Sequence, residues 1–322
     1  MTDSADVRAP ALPAQPRGGG IGRGAEPPSE QWSHRFVEAN GLRFHCVTAG
    51  EGPLVLLLHG FPEFWYSWRH QIPALAGSGF TVVAPDLRGY NDSDKPEGIE
   101  AYRMSHIVED VVGIIRAFGR ERAAIVGHDW GGAVAYAFAM ANPDMTQALA
   151  VLNCPHPADF SQALMGAGNL EQMKKSWYMF FFQLPDVPEQ LLAADDFRLL
   201  KAFAYSHARR GTFSAKDLKA YTEAFSKPGA LTGGINWYRA MLRRPLPPAR
   251  LFPPVSAPTL VIWGERDHFL GKELTRGMKR HFTGKVSIRY LPGVSHWVQQ
   301  EAPGRVNALL LEFFKGLEKV EW

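Results

Sequence analysis

The stretch Ala123-Ala124-Ile125-Val126-Gly127-His128-Asp129-Trp130-Gly131-Gly132 decides the fold of this chain. Its apolar first half is typical of a short buried strand, and Gly131 to Met140, which stops before Asn142-Pro143, is typical of a helix. Glycines two places before and two places after Asp129 leave the room that a tight strand-to-helix turn needs, so the stretch predicts an exposed nucleophile at its tip. An aspartate in front of a helix can also be an ordinary N-cap, and other motifs must decide between the two interpretations.

Two backbone amides near this aspartate are predicted to stabilise negative charge. The apolar strand Leu54–Leu58 ends in the glycine turn His59-Gly60-Phe61-Pro62, and such a turn can place one N–H beside a nucleophile. We expect the amide of Phe61 to be one oxyanion donor and the amide of Trp130, where the next helix begins, to be the other. The histidine of the turn is expected to order the loop through hydrogen bonds rather than to act as a base.

An acid and a histidine follow further along the chain, again at the ends of apolar strands. Pro258–Trp263 leads into a polar loop with two carboxylates, of which Asp267 is the predicted orienting acid. Glu265 is the alternative, and it is expected to pair with a neighbouring arginine. His296 follows the alternating strand Val286–Leu291 and is the predicted base. The chain order nucleophile, acid, histidine indicates a hydrolytic triad.

The periodicity outside these motifs predicts a mostly parallel sheet that is flanked by helices. Trp32 to Thr48 is typical of a hairpin, and apolar strands at Phe80–Pro85 and Leu149–Cys154 lie on either side of an amphipathic helix from Met104 to Phe118. Strands that alternate with helices favour the α/β class. The strand pattern stops after residue 155 and returns near residue 258. The expected division is a disordered tail at 1–31, an α/β core at 32–155 and 250–322, and an inserted helical cap at 156–249.

Four motifs together resemble a known family. They are His59-Gly60-Phe61-Pro62, Gly127 to Gly132, Asn236-Trp237-Tyr238-Arg239 and Ser295-His296-Trp297. The chain resembles the soluble epoxide hydrolases of the α/β-hydrolase fold from about Trp32 to its C-terminus. The third motif is the most discriminating, because it lies in the cap and serine esterases do not share it.

The resemblance implies two cap tyrosines that hold the epoxide oxygen. Tyr238 matches the second of them, and the aromatic segment 176–185 points to Tyr178 as the first, with Tyr205 and Tyr221 as alternatives. The implied reaction opens an apolar epoxide with the carboxylate of Asp129 and gives a hydroxyalkyl ester. Water activated by the histidine and its acid partner then releases a vicinal diol.

Two other functions stay open at this point. Haloalkane dehalogenases also use an aspartate nucleophile with histidine and acid partners, and there indole or amide N–H groups bind the halide. Trp130 would suit that chemistry as well, whereas Tyr238 and Tyr178 favour the epoxide. A non-catalytic binding protein of the same fold is the third interpretation, and such proteins usually lose part of the triad.

Composition agrees with a soluble globular enzyme. The chain has 322 residues, of which 46% are hydrophobic and 21% charged, and its net charge of +3 gives no reason to expect nucleic acid as a partner. The chemistry that the resemblance implies needs no cofactor or metal and has an epoxide and water as its substrate partners, and a homodimer stays open. We expect an apolar substrate pocket lined by aromatic residues. The candidates are Phe64, Trp65, Trp177, Phe181, Trp237 and Trp297.

The cellular location is predicted from what the sequence lacks. Cys46 and Cys154 are the two cysteines, and they lack the spacing of a zinc site or of a disulfide framework. The first thirty residues contain no continuous apolar segment, and the longest apolar runs elsewhere have the length of a strand. The sequence therefore predicts a reduced cytoplasmic protein without a membrane span.

Overall fold

The computed structural model describes residues 32–165, 170–243 and 249–315. The predicted tail at 1–31 lies outside the described residues, as do short segments of the predicted cap and the last seven residues. One sheet of eight strands runs through the described part of the chain. Its strands are β1 Ser33–Ala39, β2 Leu42–Ala49, β3 Leu54–Leu58, β4 Thr81–Pro85, β5 Ala123–His128, β6 Thr146–Leu152, β7 Thr259–Gly264 and β8 Val286–Leu291.

The strand order is β1-β2-β4-β3-β5-β6-β7-β8, which places β5 near the middle. β1 pairs antiparallel with β2, and β2 pairs antiparallel with β4, whereas all the remaining pairs are parallel. The tips of β3, β5, β6 and β7 therefore meet at one edge of the sheet, because the carboxyl ends of parallel strands point the same way.

Helices cover the sheet and fill the long segment between β6 and β7. The helices are α1 Gln71–Ala76, α2 Met104–Ala117, α3 Trp130–Ala141, α4 Pro157–Met165, α5 Leu170–Lys175, α6 Trp177–Phe181, α7 Val187–Tyr205, α8 Ala215–Ser226, α9 Ala230–Leu242, α10 Val298–Glu301 and α11 Pro303–Lys315. Non-helical backbone at Ala194 to Phe197 divides α7 into two parts. In the part of the chain that the structure describes, no helix combines the length and hydropathy of a membrane span.

The central strands are buried along their whole length. Every residue of β3, β5 and β7 is buried, as expected where helices lie on both faces of a parallel sheet. The predicted α/β-hydrolase fold, with a mostly parallel sheet flanked by helices, is confirmed. β6 begins three residues before its predicted start at Leu149 and ends at Leu152, because Asn153 turns away from the strand with a φ of 41°.

Candidate active site

Asp129 forms the tip of a strained turn between β5 and α3. Its φ of 52° and ψ of −121° are unfavourable for a residue with a side chain, and such strain persists only where the surroundings enforce it. A Cβ atom at Gly131 would lie 2.0 Å from the carbonyl oxygen of Leu58, so this position needs glycine. The Asp129 side chain makes no capping hydrogen bond to α3, which removes the N-cap interpretation.

Two groups contact the Asp129 carboxylate. The backbone N–H of Phe61 donates to its Oδ1 at 2.9 Å, and Nε2 of His296 lies 3.5 Å from its Oδ2. Gly60 allows this approach, because a Cβ atom there would lie 2.5 Å from Oδ1. Trp130 is the first residue of α3, and the role of its amide as the second oxyanion donor stays a prediction.

The other ring nitrogen of His296 contacts Asp267. Nδ1 of His296 and Oδ2 of Asp267 are 2.8 Å apart, and Asn153 donates to the same oxygen at 2.6 Å. Oδ1 of Asp267 accepts the backbone N–H groups of Phe269 and Leu270 at 2.7 and 2.9 Å. The carboxylate is thus held by three donors besides the histidine, and it fixes the imidazole so that Nε2 points to Asp129.

Burial and charge act in opposite directions on this cluster. Burial raises the pKa values of Asp129 and Asp267, but the charge and hydrogen bonds of His296, with other donors, outweigh it and lower both. Burial lowers the pKa of His296, but Asp267 and Asp129 outweigh it and raise the pKa to about 10. At neutral pH the resting site therefore holds two carboxylates and one imidazolium. Loss of the Asp129 charge would make His296 a free base more readily.

The raised pKa of His296 predicts how the stability of the fold depends on pH. A group with a folded pKa of about 10 and a reference value of 6.5 stabilises the fold fully below pH 6.5, and this contribution is lost as the pH rises towards 10. We expect the melting temperature to fall across this window, and to fall less for His296→Gln. Thermal unfolding followed by circular dichroism compares the two proteins. If the melting temperature fell equally with pH in both proteins, this would contradict a protonated His296 in the folded state.

Tyr178 and Tyr238 line the same cavity as Asp129, and their rings are 5.7 Å apart. The ring of Trp130 lies edge-on to the ring of Tyr238, with their centroids 5.1 Å apart. Burial raises the pKa of both phenols above the ordinary value, so each keeps its proton at neutral pH. The site thus offers O–H donors opposite a carboxylate.

The two alternative tyrosines have other partners. The hydroxyl of Tyr205 donates to the carbonyl oxygen of Pro62 at 2.5 Å, and that of Tyr221 donates to Oε1 of Gln300 at 3.1 Å. Neither residue lines a cavity that contains Asp129. Tyr178 is therefore the better candidate for the first cap tyrosine.

An apolar cavity of about 410 Å³ opens in front of Asp129. This is within the usual range for a small-molecule site. Apolar side chains dominate its wall, and Arg103 and Ser105 contribute polar groups. Its lining includes Asp129, Trp130, Ala133, Ala137, Met140, Tyr178, Met179, Trp237, Tyr238, Met241, Phe252 and Leu270.

A second cavity, of about 10 Å³, shares Asp129, Tyr178 and Tyr238 with the first. It is lined by Asp129, His296 and Trp297 among others, and it has the size that one water molecule needs. Trp237 lines the large cavity and Trp297 the small one, so two of the six predicted pocket aromatics reach the site.

The structure does not bring the other four pocket candidates to either cavity. Phe64 packs edge-on against Tyr221, and Trp65 lies against other aromatic rings near β1. Trp177 is 56% exposed, and Phe181 lies beside it. Aromatic residues close to a motif in sequence can point away from it, because a helix or turn presents neighbouring side chains on different faces.

Three residues weighed in the sequence have clear structural positions. Nδ1 of His59 lies 2.9 Å from the carbonyl oxygen of Gly60, and its Nε2 accepts the N–H of Leu87, which agrees with a loop-ordering histidine. His128 donates from Nε2 to the carbonyl oxygen of His296 at 3.0 Å. Glu265 pairs with Lys272 rather than with an arginine.

The sequence analysis did not identify Glu63, a buried carboxylate below the site. Glu63 accepts the N–H of Gly60, contacts Nδ1 of His128 at 2.7 Å, and accepts both Gln299 and Gln300. Its side chain is fully buried. The sequence did contain a signal that could have identified it, namely a glutamate that stands between apolar residues just after the glycine turn.

One group among the described residues has the spacing of metal ligands. His45, Asp86 and Asp92 each offer an atom within 4.8 Å of the others. The His45 and Asp86 side chains already contact each other at 2.6 Å, and Lys227 pairs with Asp92. None of the three lines a cavity with Asp129. We assign no metal to this group.

Comparison with known proteins agrees with this geometry. Residues 53–303 match the family model described as alpha/beta hydrolase fold. The AB hydrolase superfamily protein YfhM of Bacillus subtilis is 43% identical over 286 residues, which cover 87% of this chain and 97% of that protein. Human epoxide hydrolase 4 is 41% identical over 286 residues, which cover 87% and 77%.

A solved structure is similar over the same region. The crystal structure of Bacillus megaterium epoxide hydrolase in complex with an inhibitor superposes with a TM-score of 0.79 at 33% sequence identity. The match covers 87% of this chain and 100% of that one. The chain belongs to the epoxide hydrolase family of the alpha/beta hydrolase fold.

Proposed function

We propose that the protein hydrolyses apolar epoxides to vicinal diols through an ester on Asp129. The observation that carries the proposal is a carboxylate and two protonated phenols, Tyr178 and Tyr238, in one apolar cavity. An epoxide needs a nucleophile that attacks carbon and an acid for the departing oxygen, and it has no carbonyl that would call for a serine. Relatives named epoxide hydrolase support this proposal.

In the first step the Asp129 carboxylate attacks one ring carbon, and the bond from that carbon to the ring oxygen breaks. The departing oxygen takes a proton from Tyr178 or Tyr238, and the imidazolium of His296 returns a proton to the phenolate. The products are a hydroxyalkyl ester and neutral His296. This step fits the charges of the site, because loss of the Asp129 carboxylate charge removes one of the causes that raise the pKa of His296.

In the second step neutral His296 takes a proton from water, and the hydroxide attacks the carbonyl carbon of the Asp129 ester. The amides of Phe61 and Trp130 would stabilise the tetrahedral oxyanion. Phe61 already donates to the carboxylate at 2.9 Å. The intermediate releases the diol as an alkoxide, which takes the proton of the new carboxylic acid. The site returns to a carboxylate and an imidazolium.

The two tyrosines provide the most direct test of the proposed substrate. We expect Tyr178→Phe combined with Tyr238→Phe to lower kcat for styrene oxide by about 10²–10⁴-fold, because the departing oxygen loses its acid. Each single substitution should lower kcat less than the double substitution, since one phenol remains. Diol formation measured by chromatography gives the rates. Tyr221→Phe is the matched control, because its buried hydroxyl bonds Gln300 away from the cavities.

Haloalkane dehalogenation remains the alternative that a simple assay can decide. A halide needs N–H donors and no proton, whereas the cavity in front of Asp129 is lined by two phenols, Tyr178 and Tyr238. We therefore expect diol from styrene oxide and no halide from a panel of bromoalkanes. Halide release together with inert epoxides would replace the proposed reaction.

A further inference from the structure

Two cavities reach the reacting groups of the site, and they differ greatly in size. The large cavity measures about 410 Å³ and the small cavity about 10 Å³. Asp129, Tyr178 and Tyr238 line both of them, and no other described residue does. The two cavities therefore extend from these three side chains into different parts of the molecule.

The wall of the large cavity can adapt to the shape of a bound group. Three methionines, Met140, Met179 and Met241, contribute to this wall. A methionine side chain is unbranched and flexible, so it can pack against groups of different shapes. The volume of the large cavity also lies within the range of small-molecule sites. This cavity can therefore hold an aryl or alkyl substituent of the substrate.

The wall of the small cavity contains aromatic rings that are held in place. The indole N–H of Trp297 donates to the carbonyl oxygen of Ala204 at 3.0 Å, and both residues are buried. The ring of Phe269 packs against His296 at 5.2 Å between centroids and against Phe203 at 5.4 Å. Close-packed rings cannot make room without displacing their neighbours. The small cavity therefore keeps the size that one water molecule needs.

The second step of the proposed reaction needs a water molecule in the small cavity. His296 lines the small cavity and not the large one. Water in the small cavity would lie beside this base and beside the ester of Asp129. A substituent of the substrate that filled the small cavity would take the place of this water, and it would also collide with the aromatic wall. The ring carbon that faces the small cavity must therefore carry hydrogen atoms alone.

We propose that the protein selects terminal epoxides, in which one of the two ring carbons is a CH₂ group. The ring oxygen must meet the two phenols and a ring carbon must meet Asp129, so the ring lies where the two cavities meet. The substituted carbon then directs its group into the large cavity. A trans-disubstituted epoxide carries a group on each ring carbon, and these groups point away from each other, so one of them would enter the small cavity. This inference rests on the proposed function and names its substrate class.

Three epoxides that differ in the position of one carbon atom test the proposal. Styrene oxide is the terminal reference, and trans-β-methylstyrene oxide has an added methyl group on the second ring carbon. (2,3-Epoxypropyl)benzene is an isomer of the methyl compound that keeps its CH₂ group. We expect kcat/KM for the isomer to stay close to that for styrene oxide. For trans-β-methylstyrene oxide we expect kcat/KM to be about 10–200-fold lower, which is the range that one carbon atom gives in an apolar pocket. Diol formation measured by chromatography gives the three values.

Two phenylalanines provide matched variants, because each lines one of the two cavities. Phe203 lines the small cavity and Phe160 the large one, and both side chains are half-buried. Phe203→Ala should enlarge the small cavity and raise kcat/KM for trans-β-methylstyrene oxide relative to styrene oxide by about 10-fold or more. Phe160→Ala should leave this ratio unchanged, since both substrates place the same phenyl group in the large cavity. Turnover of styrene oxide shows that each variant is folded.

The outcomes of this experiment separate the substrate preference from the proposed function. Equal kcat/KM values of the wild type for styrene oxide and trans-β-methylstyrene oxide would overturn the preference and leave epoxide hydrolysis standing. A ratio that Phe203→Ala leaves unchanged, or that Phe160→Ala changes as much, would show that the small cavity does not select the substrate. If none of the three epoxides gave a diol, the proposed function would be wrong, and the substrate preference with it.

Discussion

Replacing His296 with glutamine is expected to stop the reaction halfway, with the whole epoxide attached to Asp129. The nucleophile and both phenols remain in this variant, so ring opening still has its parts. Ester hydrolysis loses its base, and we expect its rate to fall by about 10²–10⁴-fold. Intact-mass spectrometry after mixing with styrene oxide should show the protein plus one epoxide. Peptide mapping should place the adduct on Asp129.

The pH of that experiment matters, because His296 also keeps Asp129 ionised. Its hydrogen bond and charge are the main effects that lower the pKa of Asp129 against the opposite effect of burial. Without them the pKa of this carboxyl will rise, so the reaction should be run at mildly alkaline pH. His207→Gln is a suitable control, since His207 stacks on His268 and lines neither cavity. If His296→Gln gave no adduct while the control turned over, the division of roles would be wrong.

The parts of the site that lie at strand ends could be predicted from the sequence. Asp129 and Asp267 follow apolar strands and His296 follows an alternating one, and the parallel sheet brings those strand ends to one edge. The distances of 3.5 and 2.8 Å within this cluster follow from that arrangement. The local sequence pattern was sufficient to predict these three residues, because the parallel sheet brings the strand ends together.

Side-chain direction within the helical segment could not be predicted in the same way. α6 is apolar on both faces, and Tyr178 and Met179 point inward while Trp177 and Phe180 are exposed. Hydrophobicity alone does not tell which of two apolar faces meets the core. Glu63 was missed for a related reason, since its partner Gln300 is 237 residues away.

Replacing Asp129 with asparagine is expected to abolish turnover while leaving the pocket intact. An amide is a poor nucleophile, and loss of a covalent nucleophile in a triad enzyme costs roughly 10⁶-fold in kcat. Asparagine has the same size and shape as aspartate, so the turn with its φ of 52° and ψ of −121° should survive. Diol formation measures the loss. Asp144→Asn is the matched control, because this carboxylate is exposed after α3.

The same residue allows a test of the covalent route in the unaltered enzyme. If water attacks the ester carbonyl, one turnover in ¹⁸O-labelled water must leave the label in the Asp129 carboxylate, and the first diol must carry none. Direct attack of water on the epoxide would instead label the diol and leave Asp129 unlabelled. The Asp129→Asn variant tests whether Asp129 is the nucleophile. A variant that still binds an epoxide analogue without turning it over identifies a catalyst, whereas full turnover would show that Asp129 is not the nucleophile.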